Sequence, residues 1–237
     1  MLTPRLFFLS WSGPALVALF LFGCASPLPV GPAIPPPHLV VGDHWEYQVT
    51  DGLRRNAPGK LDVQVTAVNA GVATVRLIYV NAYGSTEKFQ QIDAEGGLVA
   101  GSLKYEAPRR FSPSLKLYDF PIGERASWRQ VVNTYRPDTE LKSEILISGQ
   151  VQGRASVTVP AGTYDAVAIY RIMQFDDDEF WRSKTTRRDT VRYAAEVKGV
   201  VSEVRDADYV ETTSGPNPAT IRTEHTTTEL VAFTPGR

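Results

Sequence analysis

Hydrophobic and polar residues alternate along most of the chain. In ILISGQVQGRASVTV, residues 145–159, one face holds Ile145, Ile147, Gly149, Val151, Gly153, Ala155, Val157 and Val159, and the other holds Ser148, Gln150, Gln152, Arg154, Ser156 and Thr158. Leu146 alone breaks the pattern. A period of two marks a strand, or a bent pair of strands, with one buried and one wetted face, and Gly149 and Gly153 are the places for a bend or bulge. Leu61, Val63, Val65 and Ala67 repeat the alternation, as do Ala73, Val75, Leu77 and Tyr79, and the intervening Asn-Ala-Gly predicts a hairpin. A second hairpin is predicted at VPAGTYDAV, residues 159–167. There Pro160 presets φ for the first corner, Ala161 takes the second, and Gly162 takes the left-handed conformation of a type I turn with a G1 bulge.

No segment shows a helical period with caps. Strands are predicted over 39–50, 60–80 as the hairpin, 86–93, 128–135, 145–159, 164–173, 186–194, 199–205 and 220–233. This spacing gives an all-β, antiparallel fold: a highly curved sheet, a barrel or a sandwich. The stretches VGDHWEYQV (41–49) and IGERASWRQVV (122–132) echo each other as an apolar residue, Gly, an acid, then Trp and a strand. They suggest two similar halves, 39–120 and 121–237, although Gly-acid turns before aromatic strands also recur by chance.

The N-terminus departs from this pattern. Arg5 precedes an apolar run, 15–22, that ends at Gly23 and Cys24, the only cysteine of the chain. Ser10, Ser12, Gly13 and Pro14 interrupt the longer stretch 6–23, leaving an apolar piece suited to a cleaved export signal and short for a membrane span. Leu21-Phe22-Gly23-Cys24 resembles the bacterial lipobox, from which Phe22 departs at the middle position. The resemblance implies that Cys24 receives a diacylglyceryl group, becomes the mature N-terminus after removal of 1–23, and is then acylated with fatty acid such as palmitate. Two or three acyl chains hold stably where one does not, at about 0.8 kcal/mol per buried methylene. An ordinary signal peptide or an uncleaved anchor with an incidental cysteine is the alternative. Ala25, where the family's inner-membrane members carry Asp, implies the outer membrane, facing the periplasm. Prolines crowd residues 24–38 and disfavour helix and sheet, so this lipidated tether could reach up to ~45 Å in polyproline II.

Composition narrows the function only by exclusion. Lys and Arg total 25 against 26 Asp and Glu, and loss of Arg5 with the signal leaves the mature charge near −2, which offers no field for nucleic acid. With no cysteine besides Cys24, disulfides and thiolate metal sites are absent, and stability rests on packing. His38, His44 and His225 fall in no metal-ligand spacing, and neither a metal nor a cofactor is implied. FDDDEFW (175–181) concentrates Asp176, Asp177, Asp178 and Glu179, but without an EF-hand pattern it reads as a solvated turn. RSKTTRR (182–188) reads as a source of surface ion pairs. No serine nucleophile motif is present, and no catalytic residue is identified.

VGDHWEY, YDFPIGERASW, VTVPAGTYDAV and VRYAAEVKGVVSEV, in this order, resemble a loose group of exported β-rich bacterial proteins with a VPAGTYDA-type hairpin. The group brings no established activity. The favoured expectation is a membrane-anchored envelope lipoprotein acting as a non-enzymatic binding or assembly module, with an envelope protein or a lipid as its partner. A lipid or lipoprotein carrier with an apolar groove is the alternative, and a carboxylate-dependent envelope hydrolase the third class.

Overall fold

The computed structural model describes residues 31–53, 58–103, 108–176, 182–212 and 219–237. Cys24, the signal, the first half of the tether, and Asp177, Asp178 and Glu179 lie outside the described residues. The described residues form twelve strands: β1 (His44–Asp51), β2 (Gly59–Asn69), β3 (Val72–Asn81), β4 (Gly84–Ile92), β5 (Leu98–Gly101), β6 (Arg109–Leu115), β7 (Ser127–Tyr135), β8 (Lys142–Val159), β9 (Gly162–Phe175), β10 (Arg182–Ala194), β11 (Gly199–Glu211) and β12 (Thr220–Thr234). Each pairs with the next, and β12 returns to β1, so the sheet is a closed up-and-down barrel. All pairings are antiparallel.

The alternation governs the long strands. On β8, Ser143, Ile145, Ile147 and Val151 turn inward and are buried. The pairing with β9 then slips between Val151 and Gly153, and Gly153 sits at φ +130°, a conformation strained for any side chain. Gly149 does not bend the strand; a Cβ there would collide with the indole of Trp128. The β8–β9 turn is Pro160-Ala161, followed by Gly162 at φ +136°. Two elements escaped the sequence pattern. β5 is only four residues long, and β6 carries Pro113 and pairs with β7 only from Arg110 to Ser112. The first strand begins at His44, not at 39, because a turn precedes it.

That turn explains the first Gly-acid echo. Asp43 is fully buried; its carboxylate accepts the Val40 and Gly236 amides at 2.9 Å and pairs with Lys198 at 2.8 Å. Glu124, the acid of the second echo, accepts the Gly31 amide at 2.7 Å. Asp43 thereby holds Gly236 near the C-terminus, and Glu124 holds Gly31. The echoed stretches open β1 and β7, and the halves they delimit run through one ring, with β6 bonded to β7.

A twelve-stranded ring is wider than its lining side chains fill, since about eight strands suffice for a packed interior. The tip of the β8–β9 hairpin docks on β12, where the Ala161 amide donates to the Leu230 carbonyl at 3.0 Å. There Val159 and Ala166 cluster with Trp45, Val65, Val75, Val201 and Leu230. Residues 116–126 between β6 and β7 also enter the core. Ile122 exchanges backbone hydrogen bonds of 3.0 and 2.8 Å with Ile34, so the segment after Gly31 lies fixed on the barrel. This pair packs on Val151, Ile169, Val191 and Tyr193, with Tyr118 and Phe120 alongside. A third cluster joins Leu98, Leu115, Val132, Ile145, Ile147 and Met173.

The outer surface carries charge: Arg76–Glu87, Arg154–Asp165 and Arg188–Asp208 are ion pairs on it, and the His44 and His225 rings hydrogen-bond Asp62 and Asp206 there. Among the described residues no helix is long and apolar enough to cross a membrane.

Candidate functional site inside the barrel

Where the three clusters meet, a cavity of about 310 Å3 remains. One wall is apolar and aromatic, formed by Tyr47, Leu61, Val63 and Leu77 with Leu117 and Val200. The rest of the lining is ionic: Arg171, Arg187 and Arg205, from β9, β10 and β11, stand together with Glu203, and Lys88 of β4 lies beside its cross-strand partner Leu77. Thr86, which is exposed, marks where the cavity borders solvent, and Arg171, only 1 % exposed, is its least accessible liner.

Strand geometry places these charges. Arg171 holds an inward position of β9 between Ile169 and Met173, and β10 presents Thr185, Arg187, Asp189, Val191 and Tyr193 inward in succession. Asp189, fully buried, is the hub. Arg187 donates Nε to Oδ1 at 2.8 Å and Nη2 to Oδ2 at 2.7 Å. Arg171 donates Nη2 to Oδ2 at 2.9 Å, and the Arg205 Nε lies 3.5 Å from Oδ1. Burial opposes ionisation of Asp189, but Arg187, Arg171 and Arg205 outweigh it and hold the carboxyl well below the usual carboxylate range. Glu203 accepts from the Arg205 Nη2 and stands 3.9 Å from Arg171.

Arg171 is held further by its Nη1 donating to the Leu117 carbonyl at 3.2 Å, and its guanidinium stacks 5.1 Å from the centre of the Tyr118 ring. Burial pushes the Tyr118 phenol up, as it does those of Tyr47 and Tyr193, so all three stay neutral. Two buried polar atoms of lining residues have no hydrogen-bond partner among the described residues: Arg171 Nε and Ser102 Oγ. Buried polar groups are nearly always satisfied, so each marks a place for an acceptor or donor that the described residues do not supply.

Sequence reasoning missed this site. RSKTTRR was expected at the surface, and the structure corrects that: Arg188 faces out to Asp208, whereas Arg187 faces in, because neighbouring strand residues point to opposite sides. The available signal was Arg171, a charge inside an otherwise apolar inward column. The residues singled out from sequence are not brought together. Asp176 is exposed, its amide bonded to the Glu144 carbonyl, and the Pro160-Gly162 turn lies at the hairpin tip. His44 and His225 each pair with one aspartate, at 2.7 and 2.6 Å, and His38 is exposed. Among the described residues no group of three or more His, Cys, Asp and Glu is placed to hold a metal ion.

No family model matches the chain, and no curated protein matches it. Among the solved structures that the chain is similar to are the following three. A candidate lipoprotein from Parabacteroides distasonis is 14 % identical, with 85 % of this chain and 98 % of that one covered and a TM-score of 0.47. A candidate exported protein with a YmcC-like fold from Bacteroides fragilis is 10 % identical, covering 86 % and 100 %, with a TM-score of 0.44. The hypothetical lipoprotein YmcC from Escherichia coli is 6 % identical, covering 81 % and 85 %, with a TM-score of 0.42.

Proposed function

We propose that this chain is an envelope lipoprotein, anchored by acyl chains on Cys24 and facing the periplasm from the outer membrane, whose barrel is a non-enzymatic binding module. The lipobox-like LFGC supports the anchor. The observation that carries the binding role is the internal cavity, with two buried lining atoms, Arg171 Nε and Ser102 Oγ, left for a guest to satisfy. The charged groups there are poorly suited to acid-base work. Asp189 is locked as a carboxylate by its arginines and holds no proton to donate near neutral pH, and Glu203 is tied to Arg205. The apolar wall lends weight to the carrier form of the same reading, in which the bound guest is a lipid.

Two measurements test the proposal. Cells fed a clickable fatty acid should label the wild-type protein, and Cys24→Ser should lose the label and leave the detergent-dependent membrane fraction. An unlabelled wild-type protein overturns the anchor. Native mass spectrometry of the full chain, released gently from envelopes, should show a non-covalent adduct that disappears on denaturation. A protein that neither carries such an adduct nor gains one from envelope extract overturns the binding module.

A further inference from the structure

We infer that the guest is a small anionic amphiphile: a carboxylate or phosphate head on a single apolar chain, with the head against Arg171 and Arg187 and the chain along the Tyr47–Leu61–Val63–Leu77 wall. This inference rests on the binding-module reading and specifies its ligand.

The charge inventory points to an anion. Among the described residues Arg171, Arg187 and Arg205 line the cavity with one carboxylate, Glu203, and Asp189 behind them supplies a second. The arginines are not surface groups that happen to lie near a hole. Arg171 and Arg187 are 1 % and 4 % exposed, and burying such cations is costly unless acceptors surround them. Asp189 accepts from both, yet the Arg171 Nε still lacks a partner among the described residues. A guanidinium presents its donors as a planar fork that matches a carboxylate or a phosphate, so an anionic oxygen at Nε completes a set that Asp189 leaves unfinished. Ser102, buried and also unpartnered at Oγ, offers a hydroxyl to a second oxygen of the same head.

The other wall excludes a simple inorganic anion as the best fit. Leu61, Val63, Leu77, Leu117 and Val200 have no polar side-chain atom, and small polar ions gain nothing from them. An apolar chain does, at about 25 cal/mol per Å2 removed from water. Size narrows the class further. Small-molecule pockets run from about 300 to 1,000 Å3, and 310 Å3 lies at the lower end, room enough for one apolar chain.

Isothermal titration calorimetry of the full-length Cys24→Ser chain, below micellar concentrations, compares four probes with one twelve-carbon tail, dodecanoate, dodecyl phosphate, dodecanol and dodecyltrimethylammonium, and inorganic phosphate beside them. The two anions should bind one to one, at least tenfold tighter than the alcohol, with the ammonium weakest. Whichever anion binds tighter identifies the head as carboxylate or phosphate. Arg171→Met should remove most of the preference for anions while leaving dodecanol unchanged. Should that variant fail to fold by circular dichroism, Lys88→Gln, a partly exposed lining position, replaces it and should weaken the anions several-fold. Leu61→Trp should block all chains alike. Dodecanol binding as tightly as dodecanoate overturns the anionic class but leaves the binding module standing. Binding of inorganic phosphate as tightly as dodecyl phosphate overturns the amphiphile, and no binding by any probe overturns the inference as a whole.

Discussion

Replacing Asp189 with Asn tests whether the ionic cluster is a buried machine part or a surface decoration turned inward. Asn keeps the volume and removes one negative charge. The wild-type cluster sets Arg171, Arg187 and Arg205 against Asp189 and Glu203; the variant leaves three guanidiniums facing one carboxylate, and the amide's own NH2 points a donor at donors. Asp189 is fully buried and accepts from Arg171 and Arg187, so the loss falls in the range for removing one partner of a buried pair, about 3–5 kcal/mol. For a domain of this size that corresponds to a fall in Tm of roughly 6–20 °C. The control is Asp208→Asn on the neighbouring strand. Its pair with Arg188 is 2.7 Å long but 41 % and 43 % exposed, and the change should cost at most about 1 kcal/mol. Urea unfolding of both variants against wild type reads the difference. The pH dependence has a defined sign. The folded Asp189 carboxyl titrates well below its unfolded value near 3.9, so its contribution is complete above about pH 4 and is lost as pH falls through the folded value. Asp189→Asn should lack that acid-dependent loss. Equal costs for the two substitutions, or a cost below about 1 kcal/mol at position 189, would refute the argument.

Asp43→Ala removes the acceptor shared by Val40, Gly236 and Lys198 and should cost about 2–4 kcal/mol, read by thermal unfolding, with hydrogen exchange accelerated first at the Val40 and Gly236 amides. Burial works against Asp43, but Lys198 and the two amides hold its carboxyl below the ordinary value; this stabilisation too is present above about pH 4 and fades in acid, and a wild-type acid-unfolding midpoint unchanged in Asp43→Ala refutes it. Gly162→Val forces a β-branched residue to φ +136° at the β8–β9 turn and should destabilise by about 1–3 kcal/mol; unchanged denaturant stability would show that the turn relaxes freely.

The alternation of residues determined the strands and the all-β class by itself, because side chains on a strand must face opposite ways and only one face can meet the core. Glycine chemistry was equally local: the requirement at Gly153 and Gly162 is a property of their own backbone. Closure was not local. Twelve strands make a ring only when β12 returns to β1, and Trp45 ↔ Phe233 pairs residues too far apart in sequence for any window to relate them. The short β5 and the proline-bearing β6 were legible only through their neighbours. The site depended on closure most of all. Arg187 and Arg188 are chemically alike, and their opposite fates follow from which face of β10 the ring turns inward. Asp189 draws arginines from β9, β10 and β11 to one carboxylate, a meeting that registers between three strands create and that no single stretch of sequence contains. The cavity itself is the space that a ring of this width leaves after the hairpin tip and residues 116–126 have filled the rest, so it exists only in the closed fold.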